Sequence, residues 1–386
     1  MPIEETPIKE TRIAIVHDWL TTSGGAERVL EQLLRLYPKA DLFTLIDFLP
    51  EDERSFLGGR VPVTSFLQTM PLARRFYRFY LPLMPFAVEQ WDFSGYDLVI
   101  SSSYAVVKGL ITGADQLHVG YVHSPMRYAW DLQESYLRQT RLRGVRGLAA
   151  RLLLHRLRLW DQVASQRVDV FIANSAFVAR RIEKLYRRKA IVVPPPVALP
   201  PAGPPAPKES FFLTVSRLVP YKRIDLIAEA FAGMPEHRLV IIGEGPERAR
   251  VTAHLAPNIT YLGRQPDSVV ADHLARCRAF VFAAVEDFGI APLEAQAHGK
   301  PVIALAQGGV LETLRGLEHE APTALFYDSQ DVASLRLAVR RFDAVEDRFS
   351  PENCRMNAAR FGAERFAREF SLNVEAALAA HRRQDQ

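Results

Sequence analysis

At 386 residues the chain is too long for one ordinary hydrophobic core and fits two domains of common size. Hydrophobic residues make up 48% and charged residues 24%, a normal globular composition that excludes collagen, coiled coil and intrinsic disorder. The formal charge of +4 is too small a surplus to name a partner, so the placement of the charges matters more than their sum.

The chain opens on MPIEETPIKE, which is acidic and has no apolar run, so no secretory signal is expected there. No uncharged run approaches the ~20 residues that cross a bilayer. The two cysteines, Cys277 and Cys354, have neither metal-ligand spacing nor the density of a disulfide scaffold, which favours a reducing compartment. The expected location is cytoplasmic, with peripheral attachment to the inner membrane face as a further expectation.

RIAIVHDW is a short β-branched run, and SGGAERVLEQLLRLY after it turns to helical periodicity, with Leu30, Leu33, Leu34 and Tyr37 on one face. DLVISSS, LHVGYVHS and VDVFIANS read as further buried strands, the last entering a helix capped by Ser175. Near-continuous apolar strands separated by helices imply a parallel sheet covered on both faces. PPPVALPPAGPPAPK, 194–208, cannot be helix interior or central strand, because proline lacks a backbone donor and fixes φ; a stiff connector is expected. The alternation then resumes with SFFLTVSRL, HRLVIIGEG, NITYLGR, AFVFAAVED, KPVIALAQGG and TALFY. The expected fold class is α/β: two Rossmann-like, doubly wound domains facing a cleft, over 1–193 and 209–365, with a last helix, 366–386, returning to the first. In such sheets ligands bind at the carboxyl ends of the strands.

The informative residues follow those ends. AFVFAAVED is read as a strand that delivers Glu286 at its carboxyl end, and APLEAQAHG as a helix with Pro292 and Glu294 in its first turn and Gly299 at its close. GGVLETL puts Gly308 and Gly309 before a helix, and SGGAER does the same with Gly24 and Gly25, an arrangement that lets backbone N–H groups approach an anion. SRLVPYK sets Arg217 and Lys222 after a strand, where guanidinium and ammonium can engage phosphate oxygens. Each feature has a plainer reading, as a helix cap, a solvated acid, a turn glycine or an exposed basic loop. Their coincidence at equivalent edges of two sheets favours a phosphate-bearing ligand.

In this combination the chain resembles the retaining glycosyltransferases of family 4, with the two-domain GT-B fold. The residues that carry the resemblance are E-x7-E at Glu286 and Glu294 within FGIAPLEAQAHGKPVIA, the Arg217 and Lys222 pair, GGVLETL and SGGAERVL. It covers almost the whole chain and is strongest over 211–315. It implies that Arg217 and Lys222 neutralise the donor diphosphate, Glu294 bonds the ribose hydroxyls and Glu286 the sugar hydroxyls. It also implies that His123, in YVHSPMRYAWD, sits beside the sugar ring; a histidine at a strand end can equally just satisfy a backbone carbonyl. Gly24, Gly25, Gly309, Val310 and Leu311 would approach the diphosphate by their backbone, Phe288, Gly289 and Ile290 would line the donor, and Gly243 and Arg264 would flank the base. The sequence departs from the family at VVPPPVAL, where an N-G-V-D turn is common, and at Ser216, where a glycine commonly precedes the arginine. Both departures put the subgroup in doubt.

The implied reaction moves a glycosyl group from a nucleotide diphosphate sugar to an acceptor hydroxyl with the anomeric configuration retained. A departing phosphate oxygen can take the acceptor proton in front-face transfer, so Glu286 serves recognition and charge stabilisation instead of acting as the nucleophile of a retaining hydrolase. No D-x-D and no His/Cys cluster occurs, so no metal and no other cofactor is expected; GEGPER lacks the third glycine of a dinucleotide fingerprint. HSPMRYAWD resembles the mannosyltransferase branch, which names GDP-mannose, ahead of a UDP-sugar, as donor. LRQTRLRGVRGLAARLLLHRLRLW, 137–160, with seven arginines and no acid, and the aromatic, arginine-bearing 66–91 segment suit an anionic membrane face or a lipid-linked glycan or polysaccharide acceptor. They suit ordinary surface helices too, while no nucleic-acid module is visible. A GT-B epimerase or hydrolase, or a silent scaffold of a polysaccharide assembly complex, is the alternative.

Overall fold

The computed structural model describes residues 11–22, 24–139, 144–201 and 207–384. The opening decapeptide, Ser23, Arg141, Arg143 and the proline-rich residues 202–206 are therefore outside the described residues.

The chain divides into two compact units, Met1–Pro196 with Phe366–Gln386, and Val197–Arg365. The first holds β1 (Ile13–His17), β2 (Asp41–Thr44), β3 (Val63–Thr64), β4 (Leu98–Ser103), β5 (Leu117–Val122), β6 (Val170–Ala173) and β7 (Ala190–Val192). Every pairing in the order β3-β2-β1-β4-β5-β6-β7 is parallel. The β1 strand is buried throughout: Ile13 and Ile15 join the core on one face, Ala14 and Val16 the core on the other. This is the period-two signature of a sheet covered on both sides. The last helix, Ala363–Gln384, contributes Phe366, Phe370, Val374 and Leu378 to the first of these cores, at four-residue spacing that keeps one stripe inward. Each such side chain is worth about 1.5–3 kcal/mol on burial.

The second unit holds β8 (Phe211–Val215), β9 (Arg238–Ile242), β10 (Ile259–Gly263), β11 (Ala279–Phe282), β12 (Val302–Leu305) and β13 (Ala324–Tyr327). Their order is β10-β9-β8-β11-β12-β13, again all parallel. Both sheets are thus Rossmann-like and doubly wound, with the strand order reversing between β1 and β4 in one and between β8 and β11 in the other. The carboxyl ends flanking those reversals are where an open α/β sheet leaves a crevice for a ligand.

Candidate active site

In the second unit the loops at the carboxyl ends of the strands are tied by backbone in two pairs, those after β8 and β9 and those after β11 and β12. Ser216 donates its N–H to Ile242 O at 3.0 Å, Leu218 to Glu244 O at 2.9 Å, and Glu247 to Leu218 O at 3.0 Å. Gly243 permits this approach: its φ is +143°, and a Cβ there would stand 1.8 Å from Ser216 O. Gly243 is therefore required by the packing of two strand ends, whatever else it flanks. Arg264 stands one residue past β10 with its side chain exposed.

A second pair of strand ends places the carboxylate. β11 ends at Phe282, so Glu286 is not on that strand, as the apolar run AFVFAAVED suggests, but four residues into the loop beyond it. The run is apolar past Phe282 because Ala283 and Ala284 are buried, not because they are paired. Glu286 is instead held by an isolated parallel bridge to Gly308, and Gly309 donates its N–H to Glu286 O at 2.8 Å. A Cβ would meet Glu286 O at 2.5 Å from Gly308 and Asp287 O at 2.3 Å from Gly309. The glycine pair is thus explained by close packing on the Glu286 loop, and the Gly309 amide, expected to face an anion, is already occupied by the Glu286 carbonyl. Val310 opens a helix of one turn, Val310–Thr313, and its side chain is buried. Leu311 donates its N–H to Gly308 O at 3.3 Å.

Lys222 ends a 3-10 turn, Pro220–Lys222, and its ammonium forms an ion pair with the Glu286 carboxylate. The two side chains are 18% and 15% exposed, so the pair is shielded enough to matter yet open to a ligand. Arg217 is exposed, its guanidinium 3.4 Å from Tyr221 Oη. Two residues assigned to different parts of a donor, diphosphate and sugar, are here each other's partners.

The helix after this loop is Ile290–Ala297, opened by Gly289 at φ 92°. Pro292 lies in its first turn, but Glu294 is the fifth residue and lies in the second turn, so the first-turn dipole argument does not apply to it. Glu294 is half-buried. Gly299, at φ 75°, closes the helix as expected: its N–H donates to Gln296 O at 2.8 Å and that of Lys300 to Ala295 O at 3.0 Å. Phe288 is buried, edge-on to Phe361 at 5.5 Å between ring centres, and Ile290 begins the helix beside it.

In the first unit His123 follows β5, and the neighbouring strand ends bring it together with residues that local sequence patterns do not mark. His17, the last residue of β1, pairs in register with Ser102 of β4. Ser102 Oγ lies 2.8 Å from His123 Nε2 and 3.1 Å from His17 Nδ1, and His17 Nε2 lies 3.5 Å from Glu27 Oε1. His17 and Ser102 are fully buried, so water does not interrupt the chain. Asn174 donates Nδ2–H to His123 O at 2.8 Å, which satisfies that carbonyl. Burial, and after it the nearby His17, push the His123 imidazole below its ordinary pKa, so it is neutral at pH 7. Asp18 is buried and accepts four backbone N–H bonds, from Tyr104, Ala105, Val106 and Val107, at 2.6–3.0 Å. It thereby sets the loop whose Tyr104 ring stands 5.7 Å from His17 and 6.0 Å from His123. The one sequence clue was polar HD directly after the apolar strand RIAIV. Gly24 is extended at φ −158° and precedes the helix Gly25–Leu36, which carries Glu27 in its first turn; a Cβ on Gly24 would come within 3.1 Å of Glu27 Oε2.

The basic segments divide. In the helix Gly144–Ala164, Val145, Leu148, Leu152, Leu159 and Val163 are exposed, while Leu154 and Leu157 are buried in the core. Arg151 pairs with Glu134 and Arg158 donates to Ala129 O, leaving Arg146 and Arg156 exposed on the surface of that helix. The 66–91 segment is a series of short helical turns exposing Leu72, Phe79 and Phe86 among Arg74, Arg75 and Arg78. Among the described residues no helix is long and apolar enough to cross a membrane, and no group of three metal-binding side chains is present. Cys277 and Cys354 are buried thiols, pushed up to about 12 by burial.

Residues 199–361 match the family model of glycosyl transferases group 1, and residues 23–199 match that of glycosyltransferase family 4. A GDP-mannose-dependent monoacylated α-(1-6)-phosphatidylinositol monomannoside mannosyltransferase of Corynebacterium glutamicum is 34% identical over 31% of this chain and 34% of its own. A D-inositol 3-phosphate glycosyltransferase of Geodermatophilus obscurus is 29% identical over 53% of this chain and 52% of its own. The chain thus spans between a third and about half of these relatives. Among solved structures, Anabaena HepE in complex with UDP and glucose covers 95% of this chain and 100% of its own at TM-score 0.64 and 19% identity. Sucrose-phosphate synthase from Thermosynechococcus elongatus covers 96% of this chain and 100% of its own at TM-score 0.70 and 18% identity.

Proposed function

From a chain of GT-B glycosyltransferase type, matched in both halves by glycosyltransferase models and built on two Rossmann-like parallel sheets, we propose an enzyme that transfers a glycosyl group from a nucleotide diphosphate sugar to an acceptor hydroxyl with retention of configuration. The observation that carries the reading is the Lys222 and Glu286 ion pair. It puts a cation and a carboxylate in one place, on loops that leave the strands flanking the reversal of the second sheet.

Transfer builds negative charge on the departing diphosphate, so a fixed ammonium, with Arg217 five residues before it, acts where charge develops. Donor binding exchanges partners: the diphosphate takes Lys222, and the freed Glu286 carboxylate accepts hydrogen bonds from sugar hydroxyls. Glu294, in the helix that follows the same loop, is the acceptor for the ribose, and Gly243, Arg264, Gly289 and Ile290, with the backbone of Phe288 and Val310, line the donor. The two cations make a bridging metal unnecessary in this proposal, and no other cofactor is invoked. In the first unit we assign recognition of the sugar to His123 and contact with the diphosphate to the backbone of Gly24 and Gly25. The donor we propose is GDP-mannose, supported by the name of the Corynebacterium relative; the UDP and glucose in the Anabaena structure make UDP-glucose its first competitor.

For the acceptor we propose a lipid-linked glycan or growing polysaccharide at a membrane surface, supported by the exposed apolar side chains of Gly144–Ala164 and their arginine neighbours.

A thermal-shift series with GDP, UDP and ADP, each with EDTA, tests the donor. Stabilisation by one nucleotide, growing with its concentration by mass action, supports the site and names the base. No shift with any of them at millimolar concentration would favour a silent scaffold instead.

A further inference from the structure

We propose that Glu27, His17 and Ser102 form a buried relay that fixes His123 as its Nε2–H tautomer, so that His123 offers Nδ1 as a hydrogen-bond acceptor for a sugar hydroxyl. This rests on the reading of His123 as the sugar-side residue.

The argument follows the protons along the relay. Glu27 lies in the first turn of a twelve-residue helix, and its carboxylate oxygens accept and do not donate. The contact between His17 Nε2 and Glu27 Oε1 at 3.5 Å therefore has the proton on Nε2. In the relay we propose, His17 carries that one proton, so its Nδ1 accepts and Ser102 Oγ–H donates to it across 3.1 Å. The serine hydroxyl has then used its single proton, and its oxygen accepts from His123 Nε2–H at 2.8 Å. Each link forces the next, and the chain ends on a histidine whose Nδ1 bears a lone pair. Among the described residues Nδ1 makes no hydrogen bond.

The strands supply the geometry. β1, β4 and β5 are neighbours, His17 and Ser102 are in register, and the His123 N–H donates to Ser103 O at 2.8 Å, one residue beyond the β5 ladder. Three adjacent strand ends thus carry the relay across the reversal point of the sheet. The chemical consequence is selectivity. A lone pair takes a hydrogen bond from a hydroxyl and repels a phosphate oxygen, which is only an acceptor, so His123 reads the sugar and not the diphosphate. His17, Ser102 and Glu27 are positioning residues acting through it.

The test is tautomer assignment on the full chain labelled with 15N-histidine, from two-bond nitrogen–proton correlations, with His123→Asn identifying the signal. The wild-type ring is expected to show the Nε2–H pattern. Ser102→Ala is expected to abolish the strict preference. Glu27→Gln, whose amide can donate to His17 Nε2, is expected to reverse the relay and put the proton of His123 on Nδ1. A wild-type Nδ1–H pattern, or a pattern unchanged in both variants, would overturn the proposal. In kinetics, Ser102→Ala and Glu27→Gln are expected to lower kcat/KM for the nucleotide sugar roughly tenfold or more while leaving the Kd for the nucleotide diphosphate unchanged; an equal loss in both would mean general damage and overturn the selective role. The spectra need no turnover. An Nε2–H ring in a chain that transfers no sugar would sink the enzyme reading alone, whereas an Nδ1–H ring in an active transferase would sink the relay alone.

Discussion

Replacing Gly309 with alanine tests the packing role that the structure gives GGVLETL in place of the anion contact expected of it. The new Cβ would lie 2.3 Å from Asp287 O and 2.6 Å from Phe288 Cα, against ordinary contacts that begin at 3.4 Å. About 1 Å of relief is needed, and since the obstacles are backbone atoms no side-chain rotation supplies it. The loop carrying Glu286 must move, or the Gly309 N–H to Glu286 O bond must break. Overpacking of this kind costs about 1–3 kcal/mol of stability. If Glu286 engages the donor sugar, a displacement of about 1 Å lowers turnover about 100-fold. The comparison is Gly59→Ala, at φ +78° with nothing within 4 Å of the added Cβ, which carries backbone strain of about 1–2 kcal/mol and no displacement. Urea melts and sugar transfer at saturating donor, measured on both variants, give the two quantities. The reasoning predicts similar stability losses but a turnover loss confined to Gly309→Ala. Wild-type turnover in Gly309→Ala would refute the claim that packing of the glycine pair sets the position of Glu286, and equal turnover losses in the two variants would refute its specificity.

Three further outcomes are expected. Lys222→Ala should lower transfer by roughly two orders of magnitude or more if the ammonium stabilises leaving-group charge, whereas Glu286→Gln should lower transfer yet tighten nucleotide diphosphate binding in calorimetry, because Lys222 no longer has to leave a carboxylate; weaker binding in Glu286→Gln would contradict the exchange of partners. Leu152→Glu with Leu159→Glu, on the exposed side of Gly144–Ala164, should abolish sedimentation with vesicles rich in anionic lipid and leave nucleotide binding intact; unchanged sedimentation would exclude this helix. His118 is fully buried, with Nε2 2.8 Å from Ser101 Oγ, and burial pushes it from 6.5 down to about 4. Because the unfolded chain binds that proton first, stability should be fully present above pH 6.5 and fall by roughly 3 kcal/mol as pH drops toward 4, which His118→Gln should flatten in thermal melts at pH 7 and pH 4.5.

The sequence showed what is written locally. Strands such as IAIVH, LVISSS and LHVGYV are apolar for their whole length because both faces of the sheet are covered, and such runs are visible without any partner. DLFT, VT and AIV form strands that no sequence pattern marks: they have four, two and three residues, and VT and AIV are partly exposed, so their length and, for those two, their burial do not set them apart from loop. The end of β11 was misplaced for a related reason, since buried alanines continue the apolar run past the last ladder bond. Pro292 in a first turn places Glu294 in that turn too, yet the helix begins two residues earlier at Ile290, after Gly289 in the left-handed region.

The partners of His123 were hidden by distance along the chain. Ser102 precedes it by 21 residues, and it is 85 residues from Ser102 back to His17. No local period connects them; only the β1-β4-β5 order does. The same holds for Lys222 and Glu286, which a motif reading assigns to separate donor groups and which the β8-β11 adjacency brings into one ion pair. Motif spacing therefore identifies residue types suited to a diphosphate and a sugar, while strand order decides which of them are coupled before a ligand arrives. If donor binding has to part this ion pair, Lys222→Ala and Glu286→Gln should not add. A double variant should lose more transfer than the two single losses combined, because either substitution alone already removes the cost of parting the ion pair and the second removes nothing further. Strict additivity would mean that the two residues meet in the donor-free chain without sharing a role in the reaction.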